Sequence, residues 1–485
     1  MRKNILVYIV TLLLFGWGIW TAIQSGKRLE AARRPGVVNS APSTTAPMSV
    51  GRAPGSLIAT LRENLHDPLS LLLVQLILII LLARVFGVLF VRLGQPAVIG
   101  EMLAGIVLGP SLAGNLFPGA FHFIFPENSL GVLRMLSQVG VILFMFLAGM
   151  ELDVKQLRDR ADAAVMVSHV SIIFPYFLGV VFSLFIYPVF APAGSTFTAF
   201  ALFMGIAMSI TAFPVLARIL EDRGLTRTPL GAMAITCAAI DDVTAWSILA
   251  FVVAIVKAGG IASSLLTIAL ALAFIGVMLL IVRPVLNRLA AARPALADDP
   301  TRGILVGILV LVFSAALFTE VIGIHALFGA FLAGITMPAN ARFRARLSDR
   351  LEQFSSAFLL PLFFAFTGLR TQIGLLSDAS SWLVCAELVL VATLGKLGGS
   401  LAAARWTGMN WRDAFSLGAL MNTRGLVELI VLNIGLDLGI LSPVVFAMMV
   451  IMALVTTCMT GPLLWLAEPA HPEKTKEIKP RMDAN

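Results

Sequence analysis

Two adjacent carboxylates inside an apolar segment are the first chemical feature of this sequence. Asp241 and Asp242 stand together in CAAIDDVTAW, near the middle of a long hydrophobic run. A carboxylate at mid-bilayer costs a few kcal/mol, and two adjacent carboxylates repel each other, so their protonation is coupled. Successive helical residues point about 100° apart, so one aspartate can face a water-filled cavity while the other faces a helix. We expect the pair to bind protons or metal cations; the alternative is a helix end or a hidden polar patch.

An intramembrane lysine is the natural partner of this pair. Lys396, in TLGKLGGS, lies well inside another apolar run. A lone buried ammonium is costly, which favours pairing with Asp241 or Asp242; the alternative is a side chain that extends to the membrane interface. If Lys396 pairs with Asp241, cation binding at Asp242 could weaken that pair and release the lysine proton, so that two protons exchange for one cation. The other hypothesis is one-for-one exchange at Asp242 beside a structural Asp241–Lys396 pair.

Two apolar runs are interrupted near their middles. One carries Thr211-Ala212-Phe213-Pro214, and the other carries Asn422-Thr423-Arg424-Gly425. Pro214 removes a backbone hydrogen bond and frees a carbonyl. The two interruptions lie at matching positions of an internal repeat, which is described below, and paired interruptions of this kind point to a transport site. The alternative is an ordinary proline kink.

Charged residues flank the second interruption. If the helix breaks near Gly425, Arg424 ends one half-helix and Glu428 begins the other. A cation at a helix C-terminus and an anion at an N-terminus both match the helix dipole. The alternative is a single ion pair at i, i+4 spacing.

These interruptions belong to a weak internal repeat. Three motif pairs recur in the same order: GEMLAGI (100–106) with GAFLAGI (329–335), FMFLAGM (144–150) with FFAFTGL (363–369), and TAFPVLARIL (211–220) with TRGLVELIVL (423–432). The repeat units begin seven predicted crossings apart, so the second unit is inverted. Inverted repeats are typical of secondary transporters.

The amino-acid composition is that of a membrane protein. Of the 485 residues, 59% are hydrophobic and 13% are charged, whereas soluble domains average ~45–50% and ~25%. This excludes a soluble enzyme, a nucleic-acid binder and a disordered chain. Runs of ~20 apolar residues can cross a bilayer, and they predict an all-α polytopic protein. The fourteen candidate spans are 5–23, 70–90, 97–112, 129–150, 162–188, 195–220, 228–256, 261–282, 303–321, 323–337, 355–369, 380–401, 413–436 and 441–466.

Basic residues predict the orientation. If the N-terminus and every second loop are cytoplasmic, that side holds 23 Lys and Arg residues and the short opposite loops hold two. The positive-inside rule then places the C-terminus in the cytoplasm. We expect an anchor helix or cleaved signal peptide at 1–24, a flexible extracytoplasmic linker at 25–66, a transporter domain at 67–466 and a cytoplasmic tail at 467–485. Arg342 to Arg350 is expected to be a solvated cytoplasmic loop.

Several motifs together resemble the monovalent cation:proton antiporter superfamily, in particular the plant cation/proton exchangers and their bacterial relatives. They are SITAFPVLARILED, AAIDDVTAW, GAFLAGITMP, LFFAFTGLRTQIG and NTRGLVELIVLNIG, in this order across residues 70–466. The resemblance implies thirteen core helices with inverted repeats, a core domain, a dimerisation domain and two broken helices that cross. It implies Asp242 as the ion-binding aspartate, with Asp241 beside it and Lys396 as the core lysine.

The expected function is a monovalent cation:proton antiporter of the cell membrane. The transported cation would be Na⁺ or K⁺, bound by Asp242 with further oxygen ligands near Thr211. No cofactor, no nucleic acid and no nucleotide-binding regulatory domain are expected, and the resemblance implies a homodimer among membrane lipids. The alternative on the same scaffold is a cation channel or symporter. A membrane sensor would need a soluble output domain, and an enzyme would need a nucleophile–base or metal-ligand constellation that the sequence does not show.

Overall fold

The protein is built from helices. A computed structural model describes residues 2–32, 67–151, 161–226, 228–257, 261–292, 302–338 and 340–467, and within these ranges every regular element is helical. The α-helices of eight or more residues are α1 (Arg2–Ala32), α2 (Pro68–Arg92), α3 (Ala97–Leu108), α4 (Leu130–Glu151), α5 (Ala161–Phe190), α6 (Phe197–Ser209), α7 (Phe213–Asp222), α8 (Pro229–Lys257), α9 (Ile261–Val277), α10 (Arg283–Ala292), α11 (Arg302–Ile322), α12 (Ala326–Ile335), α13 (Ala341–Phe354), α14 (Leu360–Arg370), α15 (Ala379–Thr393), α16 (Gly399–Trp406), α17 (Trp411–Met421), α18 (Leu426–Asp437) and α19 (Pro443–Ala467). Two shorter α-helices, Ala113–Leu116 and Pro118–Ile124, lie between α3 and α4. Three π-helical turns, Met278–Val282, Ser355–Leu359 and Leu394–Gly398, join α9 to α10, α13 to α14 and α15 to α16.

The helices confirm the predicted all-α polytopic class. Eleven segments of the described chain are long and apolar enough to cross a membrane, and α17 with α18 forms a bent pair with an angle of 43° that raises the number to twelve. The shorter apolar helix α12 corresponds to the predicted span 323–337. Together these elements match the thirteen spans predicted after the first, so the chain is a multi-pass membrane protein.

One predicted boundary and one predicted loop were wrong. Helix α1 continues to Ala32, so residues 25–32 are helical and not part of a linker; the rest of the predicted linker, 33–66, lies outside the described residues, as does the tail from 468. The predicted loop at 342–350 is instead the amphipathic helix α13, which buries Phe343 and Leu347 and leaves its arginines at the surface or half-buried. Buried residues four apart form one helical stripe, a period that the dense charges concealed.

The membrane helices pack in two groups. The core group comprises α5 to α8 and α15 to α19, and the scaffold group comprises α2, α3, α4, α11, α12 and α14. Both interrupted spans, α6–α7 and α17–α18, belong to the core group. The long helix α1 packs on α5 and α6.

Small residues allow the two repeat units to interlock within the scaffold group. A Cβ at Gly368 would lie 2.0 Å from the carbonyl carbon of Gly105, and a Cβ at Gly334 would lie 2.2 Å from the carbonyl oxygen of Phe146, one turn before Gly149. The first motif of each unit therefore packs against the second motif of the other. Such reciprocal contacts are what a two-fold axis between repeats produces.

Candidate functional site

Both predicted interruptions are breaks in the helices. Residues 210–212 separate α6 from α7, and residues 422–425 separate α17 from α18. The backbone N–H of Ala212 donates to the carbonyl oxygen of Thr423 at 3.0 Å, so the two breaks meet. Two helix N-termini and two C-termini, which carry partial charges of opposite sign, therefore converge in the core group.

Pro214 and Gly425 shape this crossing. Pro214 is the second residue of α7, where an N–H would have no intrahelical acceptor, so the proline starts the second half-helix rather than kinking a continuous one. A Cβ at Gly425 would lie 2.7 Å from Cγ2 of Val215 and 3.3 Å from Cβ of Ala212. Glycine at this position lets the two breaks approach each other.

Asp241 is held by several hydrogen bonds. Its side chain is fully buried. Oδ1 accepts from the Ser168 hydroxyl at 2.5 Å, while Oδ2 accepts from Lys396 Nζ at 2.8 Å and from the Thr211 hydroxyl at 2.9 Å. The Ser171 hydroxyl lies 3.4 Å from the same Oδ2. Both carboxylate oxygens are therefore engaged by groups of α5, of the π-helical turn at 394–398 and of the break between α6 and α7.

Lys396 is buried and does not extend to the interface. It lies in the π-helical turn between α15 and α16, a distortion often found at functional sites. Its Nζ donates to Oδ2 of Asp241, to the Ser171 hydroxyl at 2.9 Å and to the Ser171 carbonyl at 3.1 Å. These three acceptors match the three protons of an ammonium. Of the two aspartates left open by the sequence, the lysine pairs with Asp241.

Asp242 is the next residue on α8 and is also buried, with 2% of its surface exposed. Successive side chains of a helix point about 100° apart, so Asp242 does not share the orientation of Asp241. The two aspartates therefore have different surroundings, and Asp241 is the one that contacts the lysine.

Arg424 joins the two broken helices. Its guanidinium donates to the carbonyls of Ala207 at 2.9 Å and Met208 at 2.6 Å, near the C-terminal end of α6. Nη1 also lies 3.3 Å from Oε2 of Glu428, which is in the first turn of α18. Both charges match the adjacent helix dipoles, but the arginine binds the end of the other broken helix rather than that of α17.

Asn422 presents a buried amide at the second break. The side chain is fully buried, and among the described residues neither Oδ1 nor Nδ2 has a hydrogen-bond partner. An unpaired buried amide costs several kcal/mol relative to water. Such a group is expected where a ligand completes the site.

The five charged side chains that the structure describes as buried all belong to this region. They are Asp241, Asp242, Glu428, Lys396 and Arg424. Among these described side chains the three carboxylates outnumber the two cations, so this buried cluster can attract protons or cations.

Sequence reasoning missed three residues of this site. Ser168 and Ser171 on α5 contact Asp241 and Lys396, and the Thr457 hydroxyl on α19 accepts from the backbone N–H of Arg424 at 3.1 Å. Small hydroxyl residues in apolar spans are common, so their type alone carries little signal. The spacing of the two serines by one helical turn was the available clue.

The core and scaffold groups leave open space at one end. Cavities of about 620 and 570 Å³ lie between them, and Pro214, Arg218 and Glu352 line both. Arg218 is on the side that the charge pattern predicts to be cytoplasmic. Because Pro214 lies in the first turn of α7 next to the break, these cavities extend from that side towards the crossing.

Ion pairs bridge the two groups at the opposite end. Asp437, the last residue of α18, pairs with Arg134 of α4 at 2.8 Å and with Arg370 of α14 at 2.6 Å. Arg370 also donates to Oδ1 of Asn433, one turn earlier on α18, at 2.9 Å. The cavity at this end is smaller, about 250 Å³.

Comparison with known proteins places this arrangement in a family. The family model described as sodium/hydrogen exchanger, transmembrane, matches residues 77–466. The Na(+)/H(+) antiporter NhaS4 of Synechocystis is 44% identical over 405 residues, which are 83% of this chain and 98% of that relative. Cation/H(+) antiporter 19 of Arabidopsis thaliana is 37% identical over 426 residues, 86% of this chain and 52% of the relative, so the chain spans about half of that protein.

A solved structure shares the fold. The sodium proton antiporter MjNhaP1 from Methanocaldococcus jannaschii has a TM-score of 0.57 at 14% identity, covering 82% of this chain and 98% of that one. At this identity the likeness shows the fold alone. With the family match over most of its length, the chain belongs to the sodium/hydrogen exchanger family of membrane transporters and is not an enzyme.

Proposed function

We propose that the protein exchanges a monovalent cation, Na⁺ or K⁺, for protons, and that Asp242 binds either one. Asp242, a buried carboxylate beside the Asp241–Lys396 pair in the core group, carries this proposal. A carboxylate inside a membrane protein is expensive as a bare charge, and either a proton or a monovalent cation can neutralise it. The two ions therefore exclude each other, and this competition couples their transport.

Asp241 is the less suitable exchange site of the pair because it already has a cationic partner. The ammonium of Lys396 lies 2.8 Å from Asp241 and neutralises it. A carboxylate neutralised in this way attracts a metal cation weakly. Asp242, the next residue of α8, is the other buried carboxylate of the pair.

Oxygen atoms at the crossing can complete the cation site. Hard cations prefer oxygen ligands, and Oδ1 of Asn422 is an oxygen without a hydrogen-bond partner in the described chain. The Thr211 hydroxyl has one proton but two acceptors in reach, Oδ2 of Asp241 at 2.9 Å and the carbonyl of Met421 at 3.0 Å. The hydroxyl can donate to only one of these oxygens at a time, and the other oxygen is then available to a cation. We therefore propose Asn422, Thr211 and the Met421 carbonyl as ligands beside Asp242.

The two ends of the molecule support movement of the core against the scaffold. Large cavities open between the groups on the side predicted to be cytoplasmic, while the ion pairs of Asp437 bridge them on the other side. A continuous channel is not favoured by this one-sided arrangement. Opening the second side would require Asp437 to separate from Arg134 and Arg370.

Proton flux in proteoliposomes tests the function. The purified protein is reconstituted with a pH-sensitive dye, and NaCl, KCl, LiCl or RbCl is added outside. We expect saturable proton movement opposite to the gradient of Na⁺, K⁺ or both. Cation flux without proton movement would indicate a channel, and protons moving with the cation would indicate a symporter; either result would refute the proposal.

Reporter fusions test the orientation in a bacterial inner membrane. Fusions after Arg160, Arg293 and Arg350 should report cytoplasm, and fusions near Ala193 and Gly439 should report the outside, because the basic loops are retained inside. Reversed signals would overturn the orientation and exchange the assignment of the two cavity sides.

We also propose that α1 is a retained anchor helix. The Phe15 ring lies edge-on to Phe174 and Phe177 of α5 at 5.7 and 5.2 Å, and Glu30 accepts a hydrogen bond from the backbone N–H of Phe197 at 3.0 Å. A helix with these contacts contributes to the core group. The intact mass of the purified protein distinguishes retention from cleavage, and its mass in detergent tests the homodimer that the family resemblance implies.

A further inference from the structure

A proline in α5 frees the carbonyl that binds Lys396. In an α-helix the carbonyl of residue 171 accepts from the N–H of residue 175, but residue 175 is proline and has no N–H. Pro175 is buried inside α5. The Ser171 carbonyl consequently accepts a hydrogen bond from Lys396 Nζ at 3.1 Å instead.

The same turn of α5 holds the lysine closely. Besides the Ser171 carbonyl, the Ser171 hydroxyl accepts from Nζ at 2.9 Å. A Cβ at Gly395 would lie 2.9 Å from Cβ of Pro175, so the π-helical turn that carries Lys396 packs directly on the proline. Two of the three ammonium acceptors thus come from Ser171 of α5, and the third comes from Asp241 of α8, which also belongs to the core group.

We propose that Ser171 and Pro175 form an ammonium seat, meaning the Ser171 carbonyl and hydroxyl that hold Lys396 protonated while Asp241 changes its contacts during exchange. The inference rests on the proposed function and adds two positioning residues to it. Because α5 and the π-helical turn both belong to the core group, the seat stays with the lysine when that group moves. The seat favours one-for-one exchange at Asp242 over the two-proton hypothesis, since Lys396 keeps its proton throughout the cycle.

Pro175→Ala tests the seat without removing a polar side chain. The new alanine N–H competes for the Ser171 carbonyl and takes one acceptor from Lys396. The protonated lysine becomes less stable, so the alkaline limit of cation-driven proton flux should move to lower pH by about one unit. Ser171→Ala should move it in the same direction, and Ser171→Thr, which keeps the hydroxyl and the carbonyl, should restore the wild-type profile.

Matched variants separate the seat from a merely structural role. Pro188→Ala changes an exposed proline of the same helix and should leave the pH profile unchanged. In a Lys396→Arg or Lys396→Gln background Pro175→Ala should cause no shift, because arginine stays protonated and glutamine carries no such proton. A Pro175→Ala profile that superimposes on wild type, or an equal shift in these backgrounds, would overturn the seat. So would wild-type flux that follows an imposed membrane potential, since this would show a charge imbalance.

Thermal unfolding provides a readout that does not depend on transport. Replacing a helix-interior proline normally restores a helix hydrogen bond and stabilises the fold. With Lys396 present, this gain is offset by the lost acceptor. The rise in unfolding temperature caused by Pro175→Ala should therefore be larger in the Lys396→Gln background than with lysine, and equal rises would refute the seat even if wild-type exchange were absent.

Discussion

Asp242→Asn should reduce cation-driven proton flux to the level of empty liposomes. Asparagine has nearly the same volume, so the buried site should still form, but the amide neither binds a proton reversibly nor carries a charge. The variant would therefore offer neither the exchangeable proton nor the charge that holds a cation at this position. The measurement is dye-reported proton flux at saturating Na⁺ and K⁺ for wild type and variant at equal protein density.

Asp378→Asn is the matched control for this loss. Asp378 is fully exposed beyond the end of α14, where hydrogen bonds from Ser380 and Ser381 hold the pKa of its carboxyl below its usual range. It lies outside the cluster, so the same chemical change should leave exchange intact. Wild-type flux from a well-folded Asp242→Asn protein would rule out Asp242 as the shared site.

Arg424→Gln should have the largest effect on stability. The guanidinium lies at the crossing with no exposed surface, bonded to two α6 carbonyls and paired with Glu428. Its removal leaves Glu428 as an uncompensated buried charge, and breaking such a pair typically costs about 3–5 kcal/mol. We expect a large fall in the unfolding temperature of the detergent-solubilised protein, measured by tryptophan fluorescence.

Two further variants show what causes the fall in unfolding temperature. Arg218→Gln removes an arginine whose partners, Glu221 and Asp222, are exposed, and such pairs contribute about 0–1 kcal/mol. Adding Glu428→Gln to Arg424→Gln should recover part of the loss, because it removes the unpaired charge. If Arg424→Gln unfolded at the same temperature as Arg218→Gln, the arginine would not hold the crossing together.

The sequence identified the chemistry of the site but not its pairings. Charges in apolar runs are rare and costly, so Asp241, Asp242 and Lys396 were recognisable individually. Which aspartate meets the lysine depends on the rotation of α8 about its axis, and adjacent residues carry no information about that rotation. The contact is settled by the packing of α5 and the π-helical turn against α8.

Contacts between segments that are distant in the sequence were the least predictable part of the candidate site. Arg424 suggested a local pair with Glu428, and its bonds to the end of α6 depend on how two broken helices cross. Ser171 is unremarkable as a residue type, and its role depends on a proline four residues later. The membrane-crossing segments, by contrast, follow largely from hydrophobic length, and each of the thirteen spans predicted after the first corresponds to helices of the described chain.

The pH dependence of cation binding tests shared occupancy of Asp242 most directly. Calorimetric titration of the detergent-solubilised protein with Na⁺ and K⁺, in buffers of different ionisation enthalpy, gives both affinity and the number of protons released. Competition predicts about one proton released per cation bound where Asp242 is protonated, with the apparent Kd rising about tenfold for each unit of falling pH in that range. Cation binding with the same Kd at every pH and no proton release would contradict the account.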